Sequence, residues 1–235
     1  MEEQLVKFTI DIDSRDKLIE ESAFKFLPLT HEYIINSLNP YEIKIYFGNN
    51  QEKTTLINDG KKQIQILNPY ISKNLSNVTF IKLLNCVFPR YFNVKKQKID
   101  NEEKIINEDI FDQRYIIVKI NINESTKIYS TNQYFDDCIK LKANYSPNEK
   151  EKYIILTPLH SDYLFFFKNG QLKDINSMEI KFYDDSYNPI ILDYTFLLKF
   201  YKHLEKIGEF IRNHSVNLQF EIGCYEINNK NTNSY

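Results

Sequence analysis

Asp174, Glu179 and Lys181 have the order and spacing of a metal-dependent nuclease site, an Asp followed by Glu-x-Lys on the next strand. In such a site the carboxylates hold Mg²⁺ and the Lys positions or activates water. Glu179 and Lys181 are two residues apart, so on a strand they share one face. That spacing is also what the wet face of any amphipathic strand shows. The same alternation recurs along the chain in strands that carry no such triplet.

Other clusters answer less well to chemistry. His160, Ser161 and Asp162 stand side by side, whereas a hydrolytic triad must converge from separate positions, and adjacent strand residues point to opposite faces. "DDSYN" (184–188) is rich in oxygen, but a calcium loop starting at Asp184 would need Gly and Glu where the chain has Pro189 and Thr195. A turn in which Asp and Asn bond their own backbone fits better. "RYFNVKKQK" (90–98) mixes Arg90, Lys95, Lys96 and Lys98 with Tyr91 and Phe92, a composition suited to single-stranded nucleic acid. The acidic run from Asp100 to Asp112 follows at once and cancels its local field, so a nucleic-acid partner is not expected. The four histidines lack metal-ligand spacing, and the five glycines form no phosphate-cradling loop. No catalytic residue, cofactor or metal site is expected.

The elements that would carry any site read as β. The 235 residues have a net charge of −2 and are 42% hydrophobic, with 17 Phe and 17 Tyr. A core is affordable on that composition, and no general attraction to nucleic acid or anionic membrane follows. No apolar run reaches the roughly 20 residues of a membrane helix. Cys86, Cys138 and Cys224 are widely spaced and fit reduced, packed thiols better than a disulfide framework.

Period-two alternation runs from end to end. Val6, Phe8, Ile10 and Ile12 share one strand face, as do Ile43, Ile45 and Phe47; Ile64 and Ile66; Ile116, Val118, Ile120 and Ile122; Met178, Ile180 and Phe182; and Val216, Leu218, Phe220 and Ile222. One-sided apolar strands of this kind build an antiparallel sheet with one wet face. "FGNN" (47–50) and "NDG" (58–60) supply turn residues. "NVTFIKLLNCVFP" (77–89) and "DYLFFFKNG" (162–170) are apolar on both faces, which calls for cover on both sides, from the chain itself or from another subunit. Residues 93–112 read as a long exposed connector. Leu197, Phe200, Leu204, Ile207 and Ile211 mark an amphipathic helix over 194–212, and shorter helices are expected at 15–22, 30–38 and Tyr134 to Leu141. The expected fold is a mainly β, antiparallel sandwich in one domain over 1–227, with a flexible tail at 228–235.

Four phrases resemble structural proteins of the large nucleocytoplasmic DNA viruses. "NVTFIKLLNCVFPRYFNV" resembles their buried strand ending in Pro with an aromatic-Asn continuation, here Phe88-Pro89 and Tyr91-Phe92-Asn93. "NQYFDDCIKLKANY" resembles their short helical stretch. "GQLKDINSMEIKFYDDSYNPIILD" resembles their late hairpin, and "HSVNLQFEIGCYEI" their closing strand. The likeness covers 77–93 and 130–224 with gaps, and departs where the helix 194–212 replaces a short loop. It implies a minor capsid protein with a jelly-roll-like fold, found in the virion after synthesis in the host cytoplasm. Its partners would be the major capsid protein, neighbouring minor capsid proteins and possible further copies of itself. Contacts would come first from Tyr163, Phe165, Phe166, Phe167, Tyr91 and Phe92.

Overall fold

The computed structural model describes residues 2–16, 18–19, 39–48, 54–58, 63–67, 70–99, 102–122, 138–144, 150–159, 164–166, 173–191 and 213–228. The strands are β1 (Glu2–Asp13), β2 (Leu18–Ile19), β3 (Glu42–Phe47), β4 (Thr54–Asn58), β5 (Gln63–Leu67), β6 (Tyr70–Ile71), β7 (Leu75–Pro89) and β8 (Tyr91–Ile99). They continue with β9 (Glu102–Asp109), β10 (Ile116–Ile122), β11 (Cys138–Ala143), β12 (Tyr153–Pro158), β13 (Leu164–Phe166), β14 (Lys173–Ile175), β15 (Ser177–Tyr183) and β16 (Asn217–Asn228). The architecture is mainly β, and apart from a short parallel contact between β3 and β6 every pairing is antiparallel.

The main sheet runs in the order β1-β16-β7-β12-β11-β10-β15-β3-β6, with β13 and β14 also on β7. Its middle closes on itself. From β7 the ladder passes through β12, β11 and β10 to β15. The residues just before β15 form β14, which pairs back onto β7. Asn176 is the bend between them, and its carbonyl accepts the Phe47 N–H at 2.9 Å. Nearby, Gly48 adopts φ +69 against Asn74, a left-handed turn of the kind expected from "FGNN". Asp59 and Gly60 of "NDG" lie outside the described residues.

The alternating faces enter the core as the period demands. Ile43, Ile45, Ile116, Val118, Ile120, Met178, Ile180, Leu218, Phe220 and Ile222 are all buried. At the centre, Phe88 packs on Phe182 (5.3 Å between ring centroids), Tyr41 (5.5 Å) and Phe92 (5.8 Å). Such aromatic contacts contribute about 0.5–1.5 kcal/mol each beyond area burial. The Tyr41 hydroxyl is buried without a hydrogen-bond partner among the described residues. Burial first, then the nearby Tyr153, pushes its pKa up. Cys86, Cys138 and Cys224 form no disulfide and are buried, all on strands, and burial pushes the Cys86 thiol up.

β7 carries apolar residues on both faces, and none of Asn77 to Pro89 is exposed. Its register against β16 skips Leu84 between Gln219 and Phe220, and Thr79 between Gly223 and Cys224. Each skip is a β-bulge, one extra residue that reverses which parity points inward. The inward set is therefore Val78, Ile81, Leu83, Cys86 and Phe88, opposite Cys224, Ile222, Phe220, Leu218 and the β12 side. Phe80 faces outward and lies over Gly223, where a Cβ would come within 2.2 Å of its ring. Lys7 Nζ sits 5.8 Å from the same ring.

Three expectations change. Residues 93–112 are not a connector: β8 and β9 pair as an antiparallel hairpin from Tyr91↔Asp109 to Ile99↔Glu102, followed by a 3-10 turn at Ile110–Asp112. The backbone register sets Lys98 opposite Glu103 and Ile99 opposite Glu102. The helix expected from Tyr134 to Leu141 is strand from Cys138 onward, because Ile139 and Leu141 alternate into the core. The helix expected at 15–22 is a 3-10 turn at Ser14–Asp16 and then β2, which pairs with β5. The helices expected over 30–38 and 194–212, and the tail from 229, lie outside the described residues, as do residues 132–137.

Two substitutions test this packing by thermal or denaturant unfolding. Gly223→Ala is expected to lower stability by about 1–3 kcal/mol, because Phe80 must leave its place over the glycine. Tyr41→Phe is expected to leave stability unchanged or raise it by about 1 kcal/mol, since it removes a buried hydroxyl with nothing to bond. A loss above that size would show that the hydroxyl is bonded in solution.

Candidate functional site

Glu179 and Lys181 sit on the outer face of β15, between β10 and β3. The register places Lys119, Lys181 and Glu42 in one row across three strands, and Asn121, Glu179 and Lys44 in the next. Lys181 Nζ bridges Glu42 at 2.9 Å and Glu179 at 3.1 Å. The other Glu179 oxygen accepts from Asn121 Nδ2 at 3.1 Å. Burial alone would raise the Glu179 pKa, but the bonds from Asn121 and Lys181 outweigh it and hold it below the usual value. Burial would likewise lower Lys181, but its bonds to Glu42 and Glu179 leave it raised. Both groups are thus held in their charged forms by neutralising partners, as in a cross-strand ion ladder.

Asp174 is exposed on β14, whose partner is β7 rather than β10 or β3. Glu179 and Lys181 are therefore brought together, in contacts with Glu42 and Asn121 that the chain's linear order does not show. Among the described residues, no group of three or more His, Cys, Asp or Glu is placed to hold a metal ion. His160, Ser161 and Asp162 lie outside the described residues.

"DDSYN" is the turn that its composition suggested. Asp184 Oδ1 accepts the N–H groups of Ser186 (3.0 Å) and Asn188 (2.7 Å), and Oδ2 accepts Asn188 Nδ2 at 2.9 Å. Tyr187 takes the left-handed φ of 70 that the turn requires. Asp185 fastens the turn to the start of β10, accepting from Arg114 N and Nε at 3.2 and 3.3 Å. These bonds, led by the Arg114 backbone N–H, depress its pKa.

Arg90, which opens the basic stretch at 90–98, is engaged within the fold. Arg90 Nε bonds Asp109 Oδ2 at 2.9 Å, and its carbonyl accepts the Ile110 N–H at 2.9 Å. The guanidinium lies 5.1 Å from the Tyr91 ring and 5.7 Å from that of Phe111. Phe92, expected at an interface, is instead fully buried on Phe88. Tyr91 remains 43% exposed. Phe165 and Phe166 belong to β13, whose backbone pairs with Ile81 and Phe80. Tyr163 and Phe167 lie outside the described residues.

A cleft of about 330 Å³ opens between the Ile110–Asp112 turn and the β11–β12 pair. Ile110, Ile116, Leu141 and Leu156 form its floor, and Arg114 and Lys142 lie along it. Its described lining includes no carboxylate, histidine, thiol or serine. The sequence pattern did not point to Arg114 or Asn121, nor to a distant partner for Asp185. Their roles arise from partners 58 to 72 residues away, for which the local pattern carries no signal.

No protein-family model matches the chain, and neither a characterised protein nor a solved structure does.

The ladder sets a pH dependence. Glu179 has a depressed pKa, so its contribution is complete above the unfolded value of about 4.3 and is lost as pH falls through the folded one. Lys181 has a raised pKa, so its contribution is complete below the unfolded value and is lost as pH rises through the folded one. Glu179→Gln is expected to flatten the acid side of the stability-against-pH curve, measured by urea unfolding. An acid side as steep as that of the unaltered protein would show that the ladder does not contribute.

Proposed function

We propose that this chain is a non-enzymatic structural protein, a minor capsid protein of a large nucleocytoplasmic DNA virus. It would reside in the virion, with the major capsid protein and neighbouring minor capsid proteins as its partners. In this reading residues 1–227 act as one unit and the curled antiparallel sheet is a jelly-roll-like sandwich. The resemblance of the four sequence phrases supports the reading, as does the mainly β architecture. No helix among the described residues is long and apolar enough to cross a membrane.

The observation that carries it is an apolar strip on the outer face of the sheet. On β12, Tyr153 is 37% and Ile155 51% exposed, and Leu159 just beyond is 41% exposed. All three fall at odd positions and so share a face, with the half-buried Thr157 between Ile155 and Leu159. Opposite them on β7 stand Pro89 and the half-buried Val87. Arg90 N bonds the Lys152 carbonyl at 2.9 Å and so brings the Tyr91 corner to the same end. Single exposed apolar residues are ordinary, but a contiguous apolar patch marks a place for another surface. Aromatic and aliphatic anchors of this kind dominate interface energetics.

Quantitative proteomics of purified particles is expected to find the chain in many ordered copies. The Ile155→Lys variant is expected to fold with stability within about 0.5 kcal/mol of the unaltered chain, yet to enter particles at least tenfold less. Absence of the chain from particles, or full incorporation of the variant, would overturn the proposal.

A further inference from the structure

The sheet ends at β1, and among the described residues no strand lies on its outer side. β1 is twelve residues long and is paired along its whole length with β16, from Glu2↔Asn228 to Asp13↔Asn217. Just beyond, the Ser14 N–H bonds the Val216 carbonyl at 2.9 Å, which continues the same register. Ser14 therefore directs its backbone groups toward β16. Alternation along an antiparallel ladder then sends those of the even-numbered residues the same way. The N–H and C=O groups of Leu5, Lys7, Thr9, Asp11 and Asp13 point out along the free edge. Such an edge is a template for another strand.

We infer that the edge pairs with the β1 of a second copy of this chain, antiparallel about a twofold axis at Thr9. The side chains select this occupant and this register. With Thr9 opposite Thr9, Lys7 of each copy, which within its own chain also reaches Glu221 at 3.5 Å, faces Asp11 of the other, and the two ion pairs are related by the axis. On the inner face, Val6 meets Ile12 and Phe8 meets Ile10. Val6 and Phe8 are only half-buried in the single chain, whereas Ile10 and Ile12 are buried. The second copy would therefore cover the part of the apolar row that its own sheet leaves open.

Other registers conflict. An odd shift sets apolar residues against polar ones on both faces. A twofold axis at Lys7 places Lys7 on Lys7, and one at Asp11 places Asp11 on Asp11; like charges directly opposite are destabilising. An axis at Phe8 sets Glu3 opposite Asp13. An axis at Ile10 sets Lys7 opposite Asp13, whose carboxylate already holds the Arg15 side chain at 2.8 and 2.9 Å. The charges that would blunt a bare edge thus favour a closed, isologous pairing about Thr9. This inference stands independently of the shell reading, since it concerns only how two copies join.

Charge exchange and cross-linking test it on the full chain. Sedimentation at micromolar concentration is expected to show a dimer. Asp11→Lys sets Lys against Lys at both symmetric positions and is expected to weaken dimerisation at least tenfold; Lys7→Asp sets Asp against Asp with the same result. Mixing the two variants restores opposite charges at both positions and is expected to give a heterodimer. Thr9→Cys should form an intermolecular disulfide under mild oxidation, because directly opposed residues of a hydrogen-bonded pair have Cα atoms ~5.5 Å apart. Leu5→Cys should not, since the two copies of Leu5 would lie roughly 27 Å apart along the strands. The native cysteines are buried and do not compete. A monomer throughout, a dimer indifferent to Asp11→Lys in a folded variant, or cross-linking through position 5 and not position 9 would each overturn the inference.

Discussion

Every backbone polar group of a buried strand must find a partner, and β7 meets that demand along both of its edges. On one side lies β16; on the other, β14, β13 and β12 follow one another along its fifteen residues. The remainder of the main sheet depends on this strand. β1 reaches it through β16, and the closed run through β12, β11, β10 and β15 returns to it at β14. Buried backbone groups left unbonded would cost as much as lost hydrogen bonds, so a strand so central is constrained in conformation along its whole length. The two bulges are how it keeps that pairing while still turning its large apolar side chains inward.

Placement of the charged groups follows from the same sheet. Once β15 lies between β10 and β3, the outward residues of three strands meet in rows, and Glu179 and Lys181 become members of an ion ladder. The local spacing that resembled a nuclease site is the spacing that an ion ladder also needs. Arg90 illustrates the same economy at the base of the β8–β9 hairpin, where one guanidinium serves Asp109 and flanks two aromatic rings. Also facing outward among the described residues are the exposed apolar side chains of β12 and the edge backbone of β1.

The legible part of the fold was the part governed by period two. The inward sets of β1, β3, β10, β15 and β16 follow directly from alternation, because on a strand successive Cβ atoms point to opposite faces. The "DDSYN" turn was legible for a local reason too, since Asp184 reaches backbone donors two and four residues away. The hairpin at 91–109 was hidden by its charge. In linear order its Lys and Glu residues read as a solvated connector, although the two backbones pair as a ladder. The stretch at Cys138 was obscured by its short length, over which three- and two-residue periods are hard to tell apart. The candidate site was legible only as a strand face.

By itself the amino-acid sequence determined a mainly β protein, the inward face of most strands, the turn at Asp184, and three cysteines that pack without pairing. These depend on residue type and on neighbours a few positions away. Tertiary structure alone decided the bulges at Thr79 and Leu84, the closure of the sheet through Asn176, the burial of Phe92, and the partners of Glu179, Lys181 and Asp185. The reason is register. Which residue stands opposite which depends on the summed packing and hydrogen bonding of whole strands far apart in the chain. A one-residue shift reverses every face while leaving the local pattern of either strand unchanged.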